Sequence, residues 1–141
     1  MFTPPKTSPW GKVQHCKALC LGVFEVDTAS HGGILVASRM AEALLTPQAK
    51  NCGFQEGGYI CFEEDAAASV ALRELLDKKL IRAPSRFTPE EYSRIIDESV
   101  QQFYPDYWQA REKGETIDGQ LTFEALLGSQ PAEKTKNCEV R

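Results

Sequence analysis

Residues 28–33 read Thr-Ala-Ser-His-Gly-Gly and place a hydroxyl and an imidazole next to each other, before two glycines. Adjacent residues of an extended chain point to opposite faces, so His31 cannot deprotonate Ser30 unless a turn brings the two side chains together. The segment also lacks the glycine-flanked serine elbow of hydrolases. Gly32 and Gly33 suit a tight hairpin turn, in which we expect them to adopt positive φ values. We therefore predict an exposed turn that serves recognition rather than catalysis.

Three consecutive acids, Glu63, Glu64 and Asp65, directly follow the apolar segment 59–62. We expect them at the N-terminus of the next helix, because carboxylates there face the positive end of the helix dipole and its unpaired N–H groups. Their charge also suits contact with a basic surface on another protein.

A small enzyme is the alternative function. The sequence offers His31 as its base and Cys61 as its nucleophile, with an acid from residues 63–65 as the partner. The residues around Cys61 are apolar and anionic, and both conditions raise a thiol pKa and make the reactive thiolate scarce. We therefore assign no catalytic residue and expect Cys61 to be a small buried hydrophobic residue.

Metal ligands occur at two places. His15, Cys16 and Cys20 supply soft ligand atoms together with Cys52, but C-x3-C without a second close pair is a weak zinc pattern. His31 and the acids offer hard ligands without the spaced aspartates of a calcium loop. Glycine-rich phosphate loops are missing. We predict no cofactor and assign no metal ligand, and metal binding at either place stays an open alternative.

Charge and composition limit the function classes. The 141 residues have 42% hydrophobic content and a net charge of −4, which suits one domain with an ordinary core. Nonspecific binding to DNA or to anionic lipid needs clustered Lys and Arg, so we expect no direct nucleic-acid or membrane partner. The negative charge is concentrated in residues 59–118.

Cysteine usage and the first residues indicate the compartment. Five cysteines at irregular spacing leave at least one unpaired, which is typical of reduced thiols in a cytosol. No apolar run is long enough to cross a membrane, and Pro4 and Pro5 interrupt the stretch where a signal peptide would lie. We expect a cytoplasmic protein.

Strands are predicted in the first half of the chain. Val23 to Asp27 alternates apolar and acidic side chains, which is typical of a half-buried strand. The composition of residues 51–58 predicts a loop. The predicted strands lie around 12–19 and 21–28 and at 34–38 and 59–62.

Helices are predicted in the second half. One follows the acids, and we expect its i, i+4 row to pack on a sheet. Another begins at Thr88, where Pro89 and Glu91 complete a capping box with proline at the first helical position. The i, i+4 row of the helix that follows the acids is Ala68, Leu72, Leu76 and Leu80, with Leu75 beside it. The predicted buried face of the second helix is Tyr92, Ile95, Ile96, Val100 and Phe103. Further short elements are predicted from Pro105 and at 121–128.

This order of elements predicts an α+β fold, in which a small antiparallel sheet from the N-terminal half is covered on one face by helices from the C-terminal half. Residues 1–9 are expected to form an extended arm, 10–128 a single domain, and 129–141 a frayed polar tail.

An aromatic group occupies residues 103–108. Aromatic residues at such a helix corner pack into a core or form an exposed anchor for a protein partner, because Tyr and Trp are enriched in interface hot spots. Trp108 is our candidate anchor.

Four short motifs occur in a fixed order: Pro-Trp-Gly at 9–11, Ser-His-Gly-Gly at 30–33, Glu-Glu-Asp at 63–65 and Tyr-Pro-Asp-Tyr-Trp at 104–108. Together they resemble the signature of a domain-of-unknown-function family carried on bacterial phages, plasmids and integrative elements. The resemblance covers residues 7 to 110, with Ser8 where such relatives usually have threonine. It implies a mobile-element accessory gene and no particular reaction.

The resemblance, the acidic charge and the weak catalytic patterns together favour stoichiometric protein binding. We expect the chain to inhibit a host defence system of CRISPR or restriction type by covering a basic, nucleic-acid-handling surface. The predicted contact residues are Ser30, His31, Gly32, Gly33, Glu63, Glu64, Asp65 and Trp108. A regulatory dimer is a third possibility, and the oligomeric state stays open.

Overall fold

The computed structural model of the chain describes residues 2–114. Its strands are β1 (Thr7–Ser8), β2 (Gly11–Lys12), β3 (His15–Cys20), β4 (Val23–Asp27), β5 (Gly32–Ala37), β6 (Phe54–Glu56) and β7 (Tyr59–Glu63). Its helices are α1 (Ser38–Leu44), α2 (Pro47–Lys50), α3 (Ala67–Asp77), α4 (Pro89–Phe103) and α5 (Pro105–Lys113). The predicted element at 121–128 and the predicted tail at 129–141 lie outside the described residues.

Five strands form one antiparallel sheet in the order β3-β4-β5-β7-β6, and β1 and β2 form a separate hairpin. With the longer helices α3, α4 and α5 following the sheet, this confirms the predicted α+β fold. Strand β6 lies inside the segment that was predicted to be a loop. That segment has no apolar alternation, and Gly57 and Gly58, both at positive φ, form the turn that folds β6 back onto β7.

The helices cover one face of the sheet, as predicted. Apolar side chains from three central strands meet the inner sides of α3 and α4 there. Each large side chain buried this completely contributes about 2 kcal/mol to stability relative to an exposed one. The sheet contributes Val23, Ile34, Val36, Ile60 and Phe62, and the two helices contribute Val70, Ala71, Leu75, Ile96 and Val100.

The first residues of the chain, 2–13, which we call the N-terminal arm from here on, cover the opposite face of the sheet. Phe2, Trp10 and Val13 pack on a second apolar cluster that includes Leu35 and Cys61. Sequence periodicity gave no sign of this layer, because three apolar residues spread over twelve positions form no regular pattern. The sheet therefore has apolar cover on both sides.

Two details of the helix predictions are wrong. Helix α3 buries Val70, Ala71 and Leu75, whereas Leu80 of the predicted row lies beyond the helix and is exposed. In α4 the predicted capping box of Thr88 is present, but Ile95 and Phe103 are exposed rather than buried. Helix α4 packs mainly against α3 and α5 and buries only Ile96 and Val100, so its outer flank and its last residue stay in solvent.

Helix α4 runs back along α3. The hydroxyls of Ser69 and Ser99 are 2.9 Å apart, and the Arg73 guanidinium donates to Asp97 at 2.6 Å. Since the residue numbers rise in opposite directions, the C-terminal end of α4 lies beside the N-terminal end of α3. Phe103 is thereby placed at the same end of the helix pair as residues 63–65.

Candidate functional site

The turn between β4 and β5 is held in one shape by the Thr28 side chain. Its oxygen accepts hydrogen bonds from the backbone N–H groups of Ser30 at 3.3 Å and His31 at 3.1 Å. The Thr28 hydroxyl also lies 2.6 Å from the His31 carbonyl and 3.2 Å from the Trp10 carbonyl, either of which can accept its proton. This confirms the predicted hairpin turn and places its tip, with Ser30 and His31, in solvent.

Gly32 and Gly33 have a different role from the predicted one. Both are buried residues of β5, and neither has positive φ. A Cβ on Gly32 would lie 2.6 Å from the Val26 carbonyl oxygen, a distance that real Cβ atoms do not adopt. The two glycines are therefore required by close backbone approach, and they position the turn behind its exposed tip.

Pairing of β5 with β7 brings His31 to the acids. Gly33 lies opposite Glu63, and the Glu64 N–H donates to the Gly32 carbonyl at 2.9 Å. As a result, His31 Nδ1 is 3.9 Å from a carboxylate oxygen of Glu63 and 3.9 Å from one of Glu64. These distances permit attraction between charges when the imidazole is protonated, but they exceed hydrogen-bond length.

The sequence predicts the three acids in the first turn of a helix, and this prediction is wrong. Glu63 ends β7, and α3 begins only at Ala67, with no acidic residue in its first turn. Between them, Asp65 adopts φ 80°, in the left-handed region. This turn directs the chain from the sheet into α3 and leaves all three carboxylates exposed. We call His31, Glu63, Glu64 and Asp65 the acidic end.

Two aromatic residues, Phe103 and Tyr104, lie where α4 ends, at the same end of the helix pair as residues 63–65. Phe103 is 55% exposed at the end of α4. Burial, and then the nearby charges of Cys52 and Glu63, raise the pKa of the Tyr104 phenol. The sequence had placed Phe103 in the buried face of its helix, since its helical phase matches that of Ile96. Its position at the last residue of α4 explains the difference.

Trp108 lies one turn into α5. Its ring is half-buried against the core, and the Arg111 guanidinium stacks over it at 4.9 Å. Arg111 is itself held by two hydrogen bonds from its guanidinium to Asp77, at 2.8 and 2.9 Å. These contacts tie Trp108 to the C-terminal half of α3, whereas His31 and the acids lie at the other end of that helix.

Cys61 is fully buried between Leu35 and the N-terminal arm. Burial, and then the charge of Glu56, raise the pKa of its thiol to about 11. A thiol with that pKa is almost entirely protonated at neutral pH and is a poor nucleophile. The geometry thus favours Cys61 as a packing residue.

The other ligand candidates are spread over separate elements. His15 Nδ1 is 2.9 Å from an Asp27 carboxylate oxygen, and both side chains are exposed. Cys52 follows α2, far along the chain from Cys16 and Cys20 on β3. Among residues 2–114, no three His, Cys, Asp or Glu side chains are grouped so that they can hold a metal ion.

A family model for a domain of unknown function, DUF7007, matches residues 3–125. The chain belongs to this family. The resemblance to a domain-of-unknown-function family is thereby confirmed, and the family description assigns no activity. Neither the curated proteins nor the solved structures give a match to the chain. No helix within residues 2–114 has the length and apolar character required to cross a bilayer.

Proposed function

We propose that this DUF7007 protein is a stoichiometric protein-binding inhibitor, carried on a phage or another mobile element and active in the cytoplasm of the bacterial host. Its partner is a nucleic-acid-handling defence complex of CRISPR or restriction type. The acidic end covers a basic surface of that complex and contacts protein rather than nucleic acid.

One observation carries this proposal: three exposed carboxylates and one imidazole are fixed together at a single end of the fold. The side chains of Glu63 and Glu64 are each 49% exposed, and that of His31 is 56% exposed. The exposed Phe103 lies at the same end. Protein interfaces combine aromatic anchors with polar contacts, and this end of the helix pair offers both kinds of exposed side chain.

The same geometry favours binding over catalysis. The side chains of the acidic end are exposed to solvent, whereas catalytic groups act in concave sites that exclude water. A groove of about 630 Å3 does open along α4, but residues of that helix between Pro89 and Gln101 line it, and no member of the acidic end takes part. A small enzyme built on His31 and the acids is the alternative, favoured by their approach to 3.9 Å.

A plaque assay tests the biological role. Bacteria that carry a defined CRISPR or restriction system are challenged with phage while they express the wild-type chain, a variant with Glu63→Gln, Glu64→Gln and Asp65→Asn, or a control with Glu56→Gln, Glu90→Gln and Glu98→Gln. The two variants remove the same charge from different exposed positions. We expect wild type and control to restore plaques and the acidic-end variant to fail.

Titration of the purified defence complex tests the mechanism. A stoichiometric inhibitor reaches complete inhibition near one chain per binding site, and its binding weakens as salt rises from about 50 to about 300 mM, because exposed charge pairs are screened. Complete inhibition at a molar ratio far below one contradicts the binding mechanism and favours the enzyme. Binding that is insensitive to salt contradicts the electrostatic contact.

A further inference from the structure

The connection between α3 and α4, residues 78–88, which we call the basic loop, is a positively charged segment of this acidic protein. Residues 78–88 contain four basic residues and no acidic residue, in a chain whose net charge is −4. Lys79, Arg82 and Arg86 are exposed. Within residues 2–114, none of these three has a carboxylate oxygen within 4.0 Å, whereas Lys78 pairs with Glu74 at 3.6 Å. Three cations of the loop are therefore open to an external anion.

Lys79 occupies a position where glycine is the usual residue. Its φ is 60°, and its N–H donates to the Leu76 carbonyl while the next N–H, of Leu80, donates to the Leu75 carbonyl. These two bonds define a Schellman motif with Lys79 at its left-handed residue. A lysine is strained there, and strain that persists at one residue points to a role for its side chain.

Arg86 is held by an aromatic pair. Its guanidinium lies 5.1 Å from the centre of the Phe87 ring, and that ring packs against Tyr92 with centroids 5.6 Å apart. Tyr92 in turn packs on the core beneath α4. The stacking restricts the Arg86 side chain, and its guanidinium makes no hydrogen bond to residues 2–114, so less entropy is lost when it binds an anion.

The acidic end does not cancel the charge of the basic loop. The eleven residues of α3 separate the two regions. At 1.5 Å per residue they span about 16 Å. The Debye length at physiological ionic strength is about 8 Å, so exposed charges at this separation are largely screened from each other. The negative net charge of the chain predicts no nucleic-acid partner, but it does not describe the local charge of this loop.

We propose that the basic loop binds the phosphodiester backbone of single-stranded nucleic acid through Lys79, Arg82 and Arg86. Two of the three groups are guanidiniums, which bind phosphate oxygens through paired N–H groups. A single strand presents phosphates at regular intervals, which suits three exposed cations spread along one connecting segment. This surface goes beyond the proposed function, since it lies at the other end of α3 from the acidic end.

Fluorescence anisotropy with a labelled single-stranded DNA of about 20 nucleotides tests the proposal. The proteins are the full-length wild type, a loop variant with Lys79→Gln, Arg82→Gln and Arg86→Gln, and a control with Lys6→Gln, Lys12→Gln and Lys17→Gln, which removes the same charge from exposed positions in the N-terminal quarter. We expect the loop variant to bind at least about 10-fold more weakly and the control to stay within about 2-fold of wild type. The salt dependence of binding should fall by about 2 in log–log slope, as expected for three lost contacts to a single strand.

Lys79→Gly provides a variant that keeps the fold, because glycine relieves the strained position. We expect it to bind DNA more weakly than wild type although it is the more stable protein. Absence of DNA binding by the wild type at low salt overturns the proposal, as does equal weakening in the loop variant and the control. Displacement of the DNA by an equal concentration of polyglutamate also overturns it, in favour of an acidic protein partner. The acidic-end variant should bind DNA as wild type does, so the outcome is independent of the proposed function.

Discussion

Trp10 packs directly over Gly33, so that a Cβ at residue 33 would lie 2.5 Å from Cη2 of the indole. The pair joins the N-terminal arm to the centre of the sheet, and the Thr28 hydroxyl lies 3.2 Å from the Trp10 carbonyl beside it. Two of the four sequence motifs therefore contact each other: Trp10 of Pro-Trp-Gly lies against Gly33 of Ser-His-Gly-Gly. Their contact is structural, and it fixes the turn that presents His31.

The first prediction concerns this contact. Gly33→Ala should lower the free energy of unfolding by about 2 kcal/mol or more, because the added methyl group forces the indole or the β7 backbone to move. Urea denaturation followed by tryptophan fluorescence measures the change. The control is Ser30→Ala in the exposed tip of the same turn, which should change stability by less than about 0.5 kcal/mol. Equal stability of the Gly33→Ala protein and the wild type would show that the arm is loosely packed.

A buried hydrogen-bond network fastens α5 to α3. The carboxylate of Glu74 accepts hydrogen bonds from the Tyr107 hydroxyl at 2.5 Å, from the Thr46 N–H at 2.7 Å and from the Thr46 hydroxyl at 3.2 Å. Tyr107→Phe should destabilise the protein by about 2 kcal/mol, since it removes a hydrogen bond to a buried charged group. Urea denaturation again measures it. Tyr104→Phe is the matched control, because the Tyr104 hydroxyl makes no hydrogen bond within residues 2–114, and a similar loss in both variants would contradict the assignment.

The sequence predicted the elements better than it predicted their surroundings. Local rules were sufficient for β4, where apolar and acidic residues alternate, and for the capping box of Thr88. They failed where a distant segment decides: Gly33 was assigned a turn conformation because the sequence gives no sign that Trp10 covers it. They also failed at Phe103. Helical phase predicts which side of a helix faces the core, but it does not predict whether a neighbouring element covers the last residue of the helix. His31 and the acids were predicted to serve one surface, and pairing of β5 with β7 brings them together.

Alkaline pH should destabilise the protein. Burial, followed by the charge of Glu74 for Cys52 and of Glu56 for Cys61, raises both thiol pKa values from 9.0 to about 11. A raised pKa in the folded state gives stability that is fully present below pH 9 and is lost as pH rises towards 11, because the unfolded chain releases its protons first. For Cys61 this amounts to about 3 kcal/mol. Urea denaturation at a series of pH values measures how steeply the free energy of unfolding falls as pH rises. The fall should be less steep in Cys61→Ala, and an unchanged slope would contradict the burial effect.

Thiol labelling separates the packing role of Cys61 from the alternative enzyme. Iodoacetamide modification of the native protein, mapped by mass spectrometry of peptides, should label the exposed Cys16 and leave the buried Cys61 unmodified. The rate at Cys61 should be at least about 100-fold lower, because both burial and the scarcity of thiolate protect it. In urea the two rates should converge. Rapid labelling of Cys61 without unfolding would instead support a reactive thiol and the alternative enzyme.

Lys79 provides the last prediction, because its backbone and its charge can be tested separately. The residue has φ 60° at the end of α3, where a side chain costs about 1 kcal/mol relative to glycine. Lys79→Gly should therefore raise the free energy of unfolding by about that amount, whereas Lys79→Ala keeps the Cβ and should leave stability within about 0.5 kcal/mol of wild type. Thermal and urea denaturation measure both. If alanine stabilises the protein as much as glycine does, then repulsion among the loop cations and not backbone strain sets the cost. If only glycine does so, the wild-type chain retains a strained lysine where a more stable residue fits, and the DNA affinities of the two variants then show whether its ammonium group is the reason.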